Sequence, residues 1–242
     1  MNIIAIMIGR GGSSLKDKNI LPVHGVPLLS YAAAAAKRSK FISDFYISSD
    51  CPKILKAGYD SGFKRIKRPQ KLSTATAQSC DAVLHALETI EKTKDVDIVV
   101  VQHANVGTIT EKIIDDCIQQ LIDNENYSAV VPVHEKSEYN PYRAKKISQG
   151  GLLSPFIKDS KISANRQDLP KSYFFDHSVW ILRSSSIKNK DKGQAPWGCM
   201  GNQIKPYITT GCLDVHSTED IKYTEKWITE NEIPIPIKIG KL

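Results

Sequence analysis

Short runs of consecutive apolar residues alternate with longer amphipathic segments over the first 135 residues of the chain. Such short runs are typical of strands buried on both faces of a sheet, and the longer segments are typical of helices that cover it. The predicted strands are 2–8, 43–48, 64–67, 97–102, 128–134, 178–182 and 205–208. The predicted helices are 26–38, 51–60, 76–92, 110–122 and 218–231. This order predicts an α/β fold with three layers, in which helices cover both faces of a mostly parallel, Rossmann-like sheet.

The strand pattern also predicts where a ligand would bind. In open parallel sheets, ligands bind beyond the carboxyl ends of the strands, and these ends meet at one edge. The loops that begin at Gly9, Ser48 and Gln102 each follow a predicted strand, so we expect them on that edge. We expect Ser48, Ser49 and Asp50 to cap the helix that follows them.

The loop after the first strand combines glycines with basic residues. Glycines allow close approach of the main chain, so the N–H groups of Gly11, Gly12 and Ser13 can bind phosphate oxygens. Arg10 and Lys18 can neutralise phosphate charge. The loop lacks the third glycine of a dinucleotide fingerprint and the Gly-Lys-Ser/Thr sequence of a Walker loop. It therefore indicates a different class of nucleotide-binding protein.

Composition narrows the class of protein further. The 242 residues are 41% hydrophobic and 24% charged, with a formal net charge of +7, which is typical of a single globular domain. The basic residues are scattered and not interleaved with aromatics on one helix face, which argues against nucleic acid and favours an anionic small substrate. No apolar run reaches the length of a membrane span. The five cysteines include no Cys-x-x-Cys pair, so we expect separate, reduced thiols in a cytoplasmic protein.

The alternation of strands and helices stops between residues 135 and 175. This stretch contains several turn-forming clusters, which predict a hairpin-like excursion from the domain. The segment 189–203 is rich in loop-forming residues. The last predicted helix follows Ser217, and Asp220 three residues later matches a capping box.

Several motifs follow one another in a recognisable order along nearly the whole chain. They are Arg10-x-Gly12-Ser13, Lys18-Asn19, Ser48-Ser49-Asp50, Lys67-Arg68-Pro69-x-x-Leu72, His85-Ala86-Leu87, Gln102, Arg166-Gln167-x-Leu169-Pro170-x-x-Tyr173 and Asp214-Val215-x-Ser217-x-Glu219-Asp220. In this order the sequence resembles the acylneuraminate cytidylyltransferase family. Members of that family make CMP-sialic acids and related CMP-ulosonic acids.

The resemblance implies an activity and its catalytic residues. The anomeric hydroxyl of a 2-keto-3-deoxy sugar acid attacks the α-phosphorus of CTP, and pyrophosphate leaves. Arg10 and Lys18 fit the triphosphate, and Asp214 matches the carboxylate that binds Mg²⁺, with Mn²⁺ as the other candidate ion. In the family, the excursion is exchanged across a homodimer, so we expect two copies to share it.

The resemblance also implies two sets of substrate-binding residues. The candidates for reading cytosine or holding the ribose are Asn19, Arg68, Ser79 or Ser73, and Gln102. The residues placed near the sugar are Gln102, Arg143, Arg166 and Tyr173. His85 lies in the middle of a predicted helix, where we expect a core histidine and not a catalytic one.

The chain departs from the family pattern at four places. The basic loop before Lys18 is one residue shorter than is usual in the family, and residues 103–108 stand where the family has Pro-Thr-Ser-Pro followed by Arg. Asp176-His177 stands where the family commonly has Asn-Gly. His216 replaces the second carboxylate of the metal-binding region. An Asp214/His216 pair can still bind a divalent ion, either with both side chains as ligands or with His216 acting indirectly.

These departures leave the acceptor open. Sialic, legionaminic, pseudaminic and 3-deoxy-octulosonic acids are all candidates. The two alternatives are a cytidylyltransferase that acts on a phosphate or phosphonate and a nucleotide-binding protein whose catalytic site has decayed.

Overall fold

The computed structural model describes residues 1–12, 15–158 and 162–237. Its strands, in chain order, are β1 (Ile3–Ile8), β2 (Pro22–Val23), β3 (Val26–Pro27), β4 (Asp44–Ser49), β5 (Lys64–Lys67), β6 (Ile98–His103), β7 (Ala129–Glu135), β8 (Lys145–Ile147), β9 (Leu153–Pro155), β10 (Tyr173–Phe175), β11 (Val179–Arg183) and β12 (Ile204–Ile208). The α-helices are α1 (Leu29–Arg38), α2 (Pro52–Asp60), α3 (Ser79–Glu91), α4 (Glu111–Ile122), α5 (Ser184–Lys188) and α6 (Thr218–Glu230).

The main sheet has eight strands and is mixed but mostly parallel at its centre. Its strand order is β10-β7-β11-β6-β1-β4-β5, and β12 pairs with β7. Strands β6, β1, β4 and β5 run parallel to one another, whereas β11 is antiparallel to both β6 and β7. The carboxyl ends of the four parallel strands therefore lie at one edge, as the sequence predicts.

Helices cover both faces of this sheet. On one face, α1, α2 and α4 pack on Ala5 and Met7 of β1 and on Val100 of β6. On the other face, α3 and α5 pack on Ile4 and Ile6. Residues of one strand alternate between the two layers because successive side chains of a strand point to opposite faces. The predicted three-layer α/β fold is confirmed.

Helix α1 begins three residues later than the pattern predicts. Residues 22–27 form a small hairpin from β2 and β3, and its turn residues His24 and Gly25 have φ angles of 45° and 80°. A positive φ at two adjacent residues is incompatible with a right-handed helix. The hairpin packs with α6, whose start at Ser217 and Asp220 has both hydrogen bonds of the predicted capping box.

The excursion is shorter than predicted. It leaves the sheet after Glu135 and returns at Tyr173, because Tyr173–Phe175 pairs with β7 as β10. Between these points, β8 and β9 form a separate two-stranded hairpin. No helix in the described ranges is long and apolar enough to cross a membrane.

Two cysteines are not the separate thiols that the sequence predicts. Cys80 of α3 and Cys199 form a disulfide across 119 residues, and both are buried. Cys51, Cys117 and Cys212 are free. The expectation was wrong for this pair because spacing along the chain carries no information on two residues that meet only after folding. The bond joins α3 to the segment 189–203, which is also tied to α3 by the Lys190–Asp81 ion pair at 3.1 Å.

We predict that reducing this disulfide lowers the free energy of unfolding by about 2–4 kcal/mol, because the bond restricts the unfolded chain. Urea unfolding of the wild-type protein with and without a reductant measures the difference. The Cys80→Ala/Cys199→Ala variant is the control, and the reductant should leave its midpoint unchanged. An identical wild-type midpoint in both conditions, with reduction verified by mass, would contradict the prediction.

Candidate active site

A cavity of about 250 Å³ lies at the carboxyl ends of the parallel strands. Its walls come from the loops after β1, β5 and β6 and from the start of α3. The lining residues are Ile8, Gly9, Arg10, Lys18, Asn19, Arg68, Leu72, Ala75, Ala77, Gln78, Ser79, Ala82, His103 and Asn105. The structure thus brings five residues of the predicted site together, namely Arg10, Lys18, Asn19, Arg68 and Ser79.

The glycine loop begins directly after β1, and its first residue is tightly packed. A Cβ atom on Gly9 would lie 2.8 Å from the Cβ of Ala104, so only glycine fits between the two strand ends. The side chain of Asn19 donates a hydrogen bond to the carbonyl of Arg10 at 3.1 Å and holds the loop against the Lys18 turn. Gly12 is exposed, and Ser13 lies outside the described residues.

The N–H of Gly11 is not free in this structure. It donates to the Asp50 carboxylate at 3.0 Å, so that group is not presented to a phosphate as the sequence predicts. The same contact corrects the expected role of Asp50 as a helix cap. Helix α2 follows Cys51, which makes no side-chain capping bond, and the Oγ of Ser49 accepts instead from the Cys51 N–H at 3.1 Å.

Three cationic side chains line the cavity. Burial lowers the pKa of Lys18, Asp214 partly offsets this, and Arg10 adds to the lowering. Burial also lowers the pKa of Arg68 to about 10, which leaves its guanidinium charged at neutral pH. The Nε of Arg68 donates to the Oγ of Ser48 at 3.1 Å. The Nη1 of Arg10 donates to the carbonyl of Thr74 at 2.6 Å. A cavity with this much fixed positive charge fits a polyanion.

One end of the cavity combines small apolar side chains with the N-terminus of α3. Ser79 is the first residue of that helix, and Gln78 precedes it. A helix N-terminus favours negative charge and offers free N–H donors. Of the two serines named from the sequence, only Ser79 lines the cavity. Ser73 is buried and its Oγ has no hydrogen-bond partner among the described residues.

Asp214 lies beside the loop that follows β6. Asn105 donates to its Oδ1, and the Nε2 of His216 is 3.1 Å from its Oδ2. A β-bridge between Val106 and Asp214 fixes the backbone at this point. The charge of Asp214 also raises the pKa of Lys18, so the carboxylate and the ammonium group are close enough to interact electrostatically.

The donor set at Asp214 fits a magnesium ion that is also bound by a nucleotide. Within the described part of the chain, no three His, Cys, Asp or Glu side chains converge to hold a metal ion by themselves. Mg²⁺ is usually bound by one or two carboxylates together with substrate phosphates and water. One carboxylate oxygen donor next to a polyanion cavity is compatible with that mode of binding.

Gln102 does not lie at the position predicted from the sequence. Its side chain is fully buried on the α1 face of the sheet, where its Nε2 donates to the carbonyl of Ala32 at 2.7 Å. It does not line the cavity, so its position does not support contact with cytosine or the sugar. Side chains alternate along β6, and His103 therefore faces the cavity in its place.

His103 and Asn105 are two of the lining residues that were not predicted to belong to the site. The residues that His103 contacts form an aromatic cluster on the same side of the sheet. Its ring meets Trp180 edge-on at 4.5 Å between centroids and His177 at 5.6 Å. Trp197 in turn packs on His177 at 5.3 Å. The alternation of β6, counted from its buried valines, could have identified His103 from the sequence.

The predicted sugar-binding residues of the excursion lie away from this cavity in the single chain. Arg143 and Arg166 are exposed, and Tyr173 is 48% exposed at the start of β10. Arg166 lines a different cavity, of about 350 Å³, with Glu135, Ser137 and Lys171 among its other residues. Within one chain, the cavity residues predicted to bind the nucleotide therefore lie apart from the excursion residues predicted to bind the sugar.

Comparison with known proteins identifies the family. The family model described as Cytidylyltransferase matches residues 4–179. The chain is 29% identical over 191 residues to the Helicobacter pylori pseudaminic acid cytidylyltransferase and UDP-2,4-diacetamido-2,4,6-trideoxy-beta-L-altropyranose hydrolase, covering 78% of this chain and 36% of that protein. It is 27% identical over 176 residues to a Campylobacter jejuni pseudaminic acid cytidylyltransferase, covering 72% and 75% of the two chains.

A solved structure shows the same fold. CMP:2-keto-3-deoxy-manno-octonic acid synthetase complexed with CTP superposes with a TM-score of 0.71 at 13% identity, over 96% of this chain and 100% of that one. The chain spans only about a third of the length of the H. pylori relative, at 36%. The family match covers well over half of the chain and confirms the resemblance drawn from its motifs: the chain belongs to the cytidylyltransferase family.

Proposed function

We propose that this protein transfers CMP from CTP to the anomeric hydroxyl of a nonulosonic acid or a related 2-keto-3-deoxy sugar acid. The hydroxyl oxygen forms a bond to the α-phosphorus, the bond to the β-phosphate oxygen breaks, and pyrophosphate leaves. The hydroxyl proton is released to water. The observation that carries the proposal is the single cavity that gathers Arg10, Lys18 and Arg68 around a glycine loop, with Asp214 beside it.

Residues of this chain supply positive charge and hold the reactants in position. Arg10 and Lys18 would bind the triphosphate and stabilise the charge that moves onto pyrophosphate. Arg68 is held by Ser48, which fixes its guanidinium before any ligand binds. Ser79 and the N-terminus of α3 would bind the nucleoside end. Such fixed donors accelerate phosphoryl-type transfers by holding the reactants in line, without a covalent intermediate.

We propose that Asp214 holds a divalent ion, Mg²⁺ or Mn²⁺. When bound, such an ion neutralises phosphate charge and orients the oxygens that it contacts. Asn105 and His216 contact the two oxygens of Asp214 and would keep the carboxylate in one orientation. In this assignment His216 contributes through Asp214 and not as a direct ligand.

We further propose that two copies of the chain pair through the excursion. Five apolar side chains there are between 65% and 74% exposed, namely Tyr139, Ile147, Leu152, Leu153 and Phe156. Apolar surface of this kind marks protein interaction sites. Pairing would also allow Arg143, Arg166 or Tyr173 to reach the cavity of the partner subunit, which they do not reach in their own chain.

The remaining assignments follow from this function. We propose that the whole chain works as one domain, with neither nucleic acid nor a membrane as a partner. We also propose that it works in the cytoplasm, where CTP is available. The Cys80–Cys199 bond is compatible with a reducing compartment because thiol exchange requires access to a sulfur, and both cysteines are buried.

We predict that the purified protein releases pyrophosphate with CTP, Mg²⁺ and at least one ulosonic acid, and not with ATP, GTP or UTP. Lys18→Ala should lower kcat/KM by about a hundred- to a thousand-fold, because it removes a fixed cation from the leaving group. Lys16→Ala is the matched control, since Lys16 is exposed and does not line the cavity.

Two results would contradict this assignment. Pyrophosphate release only with phosphate or phosphonate acceptors would show that the protein is a different class of cytidylyltransferase. Absence of CTP binding in a calorimetric titration would indicate a decayed site.

We predict that Asp214→Asn weakens the binding of Mn²⁺ in the presence of CTP by at least about tenfold, because it removes an anionic oxygen ligand. Titration of free Mn²⁺ by electron paramagnetic resonance measures this directly. Asp191→Asn is the control, because Asp191 is 90% exposed and lies outside the cavity. Equal Mn²⁺ affinity in the wild type and Asp214→Asn would remove Asp214 as the metal-binding residue.

We predict that equal amounts of an inactive Lys18→Ala protein and an inactive Arg166→Ala protein regain about a quarter of wild-type activity after subunit exchange. About half of the dimers are then mixed, and each mixed dimer has one intact site of its two. Light scattering establishes the dimer, and pyrophosphate release measures the recovery. A mixture of Lys18→Ala with Asp214→Asn should stay inactive, since both residues belong to the same chain's cavity. Recovery in neither mixture would show that the sites are not shared.

A further inference from the structure

One peptide group of the glycine loop is held on both sides. The carbonyl of Arg10 and the N–H of Gly11 belong to the same planar peptide unit, in which they point in opposite directions. The Nδ2 of Asn19 donates to that carbonyl at 3.1 Å, and the carboxylate of Asp50 accepts from that N–H at 3.0 Å. The peptide unit therefore cannot rotate about its neighbouring bonds without losing both hydrogen bonds.

The two partners of this peptide unit belong to different parts of the fold. Asn19 lies in the 3₁₀ turn Lys18–Ile20 and is buried. Asp50 directly follows β4, whose last residues Ser48 and Ser49 are fully buried. Because both partners are attached to well-packed segments, they hold the peptide unit in a position that the sheet determines.

The loop also packs closely against the start of α2. A Cβ atom on Gly11 would lie 3.0 Å from the Cβ of Cys51 and 3.6 Å from its Sγ. Two carbon atoms prefer a separation of about 3.5–4.0 Å, so a side chain at position 11 would push the loop away from this helix. The close approach keeps the Gly11 N–H within hydrogen-bonding distance of Asp50, which directly precedes Cys51.

The held peptide unit carries Arg10, whose side chain lines the cavity. The direction in which this side chain leaves the loop follows from the orientation of the unit, since the Arg10 Cα is one of its atoms. At the other end of the side chain, Nη1 donates to the carbonyl of Thr74 at 2.6 Å. Both ends of a long side chain are thus fixed before a ligand binds. Less entropy is then lost on binding, which raises the affinity for a polyanion.

Asp50 is not one of the residues that line the cavity. Its effect on the cavity therefore passes through a neighbour, by one of two routes. One route is the hydrogen bond from Gly11, which acts on Arg10. The other is the negative charge of Asp50, which raises the pKa of Arg68 against the larger effect of burial. The first route needs an acceptor oxygen and the second needs a charge, so one substitution separates them.

A different role for Asp50 would be to occupy a phosphate position and to leave when a nucleotide binds. A phosphate would then accept from the Gly11 N–H. The geometry favours the positioning role, because the bond from Gly11 to Asp50 is matched by the bond from Asn19 on the same peptide unit. A phosphate that displaced Asp50 would release one side of the unit that carries Arg10. The two roles predict opposite effects on the affinity for the nucleotide.

We propose that Asp50 is a positioning residue, whose carboxylate fixes the Arg10–Gly11 peptide unit and so holds the Arg10 side chain in place for the triphosphate of CTP. This inference rests on the proposed function only as far as CTP binding. It gives the polar end of β4 a part in the site although Asp50 neither caps α2 nor lines the cavity.

The test measures the dissociation constant of CTP by calorimetry in the presence of Mg²⁺. Asp50→Ala removes the acceptor and should raise the constant by about 5- to 30-fold, because hydrogen bonds to charged groups are among the stronger ones in proteins. Asp50→Asn keeps an acceptor oxygen without the charge and should recover most of that loss. Asp60→Ala is the matched control, since Asp60 ends α2 and pairs with Lys56 at 2.7 Å. It should change the constant by less than about twofold.

A double-mutant cycle tests whether Asp50 acts through Arg10. Arg10→Ala should weaken CTP binding at least as much as Asp50→Ala does. In the Arg10→Ala background, Asp50→Ala should change the dissociation constant by less than about twofold, because no guanidinium is left to position. A general loosening of the loop would instead weaken binding equally in both backgrounds.

Thermal unfolding of each variant shows whether the fold is retained. If Asp50→Ala does not fold, Asp50→Leu replaces it, since leucine keeps the branched shape of aspartate and offers no acceptor. Hydrogen exchange of the Gly11 amide, followed by NMR, gives a second readout without any ligand. The exchange should be faster in Asp50→Ala than in the wild type or in Asp50→Asn.

Three results would overturn the inference. They are CTP binding by Asp50→Ala that equals or exceeds that of the wild type, an equal loss in Asp50→Asn, and an undiminished loss in the Arg10→Ala background. Tighter binding by Asp50→Ala would identify the carboxylate as a group that the phosphate displaces.

Failure of the proposed function gives a different pattern. A wild-type protein that binds CTP and releases no pyrophosphate with any acceptor would overturn the proposed function alone, because the CTP affinities still decide the role of Asp50. A wild-type protein that does not bind CTP would overturn both.

Discussion

The cost of burying several positive charges in one cavity is the constraint on which the candidate site depends. Arg10, Lys18 and Arg68 all line one cavity of about 250 Å³, and burial lowers the pKa of Lys18 and Arg68. Neighbouring acids and carbonyls offset this cost. Asp214 acts on Lys18, Asp50 acts on Arg68, and the carbonyl of Thr74 accepts from Arg10. The folded chain therefore holds a cluster of cations whose charge is only partly neutralised. A bound polyanion would neutralise the remaining positive charge.

The sheet determines which residues can join that cluster. The glycine loop, Arg68 and Asn105 converge because β1, β5 and β6 are parallel and end at the same edge. The convergence at the ends of β1 and β6 could be predicted from the sequence, since each of these two strands is a clear apolar run followed by polar residues. Five residues predicted to belong to the site line one cavity in the structure, namely Arg10, Lys18, Asn19, Arg68 and Ser79.

The features that could not be predicted depend on the direction in which a side chain points and on contacts between residues far apart in the chain. Gln102 was selected by its motif, but the alternation of side chains along β6 turns it toward Ala32 and turns His103 toward the cavity. The N–H of Gly11 was expected to be free, yet the Asp50 carboxylate, 39 residues away in the chain, accepts from it. Cys80 and Cys199 pair across 119 residues. The excursion carries Arg143 and Arg166 away from the cavity of their own chain, which is compatible with the exchange between two copies that the family resemblance implies.

The bond between Cys80 and Cys199 has a mechanical consequence for the site. Cys80 follows Ser79 at one end of the cavity, and Cys199 lies two residues beyond Trp197. Trp197 packs on His177, which contacts His103 at the other end. The two ends of the cavity are thus joined behind its wall by one covalent link and four ring contacts, two of which Trp180 makes with Trp197 and His103. The spacing between the start of α3 and the end of β6 is therefore set by the folded protein before any ligand binds.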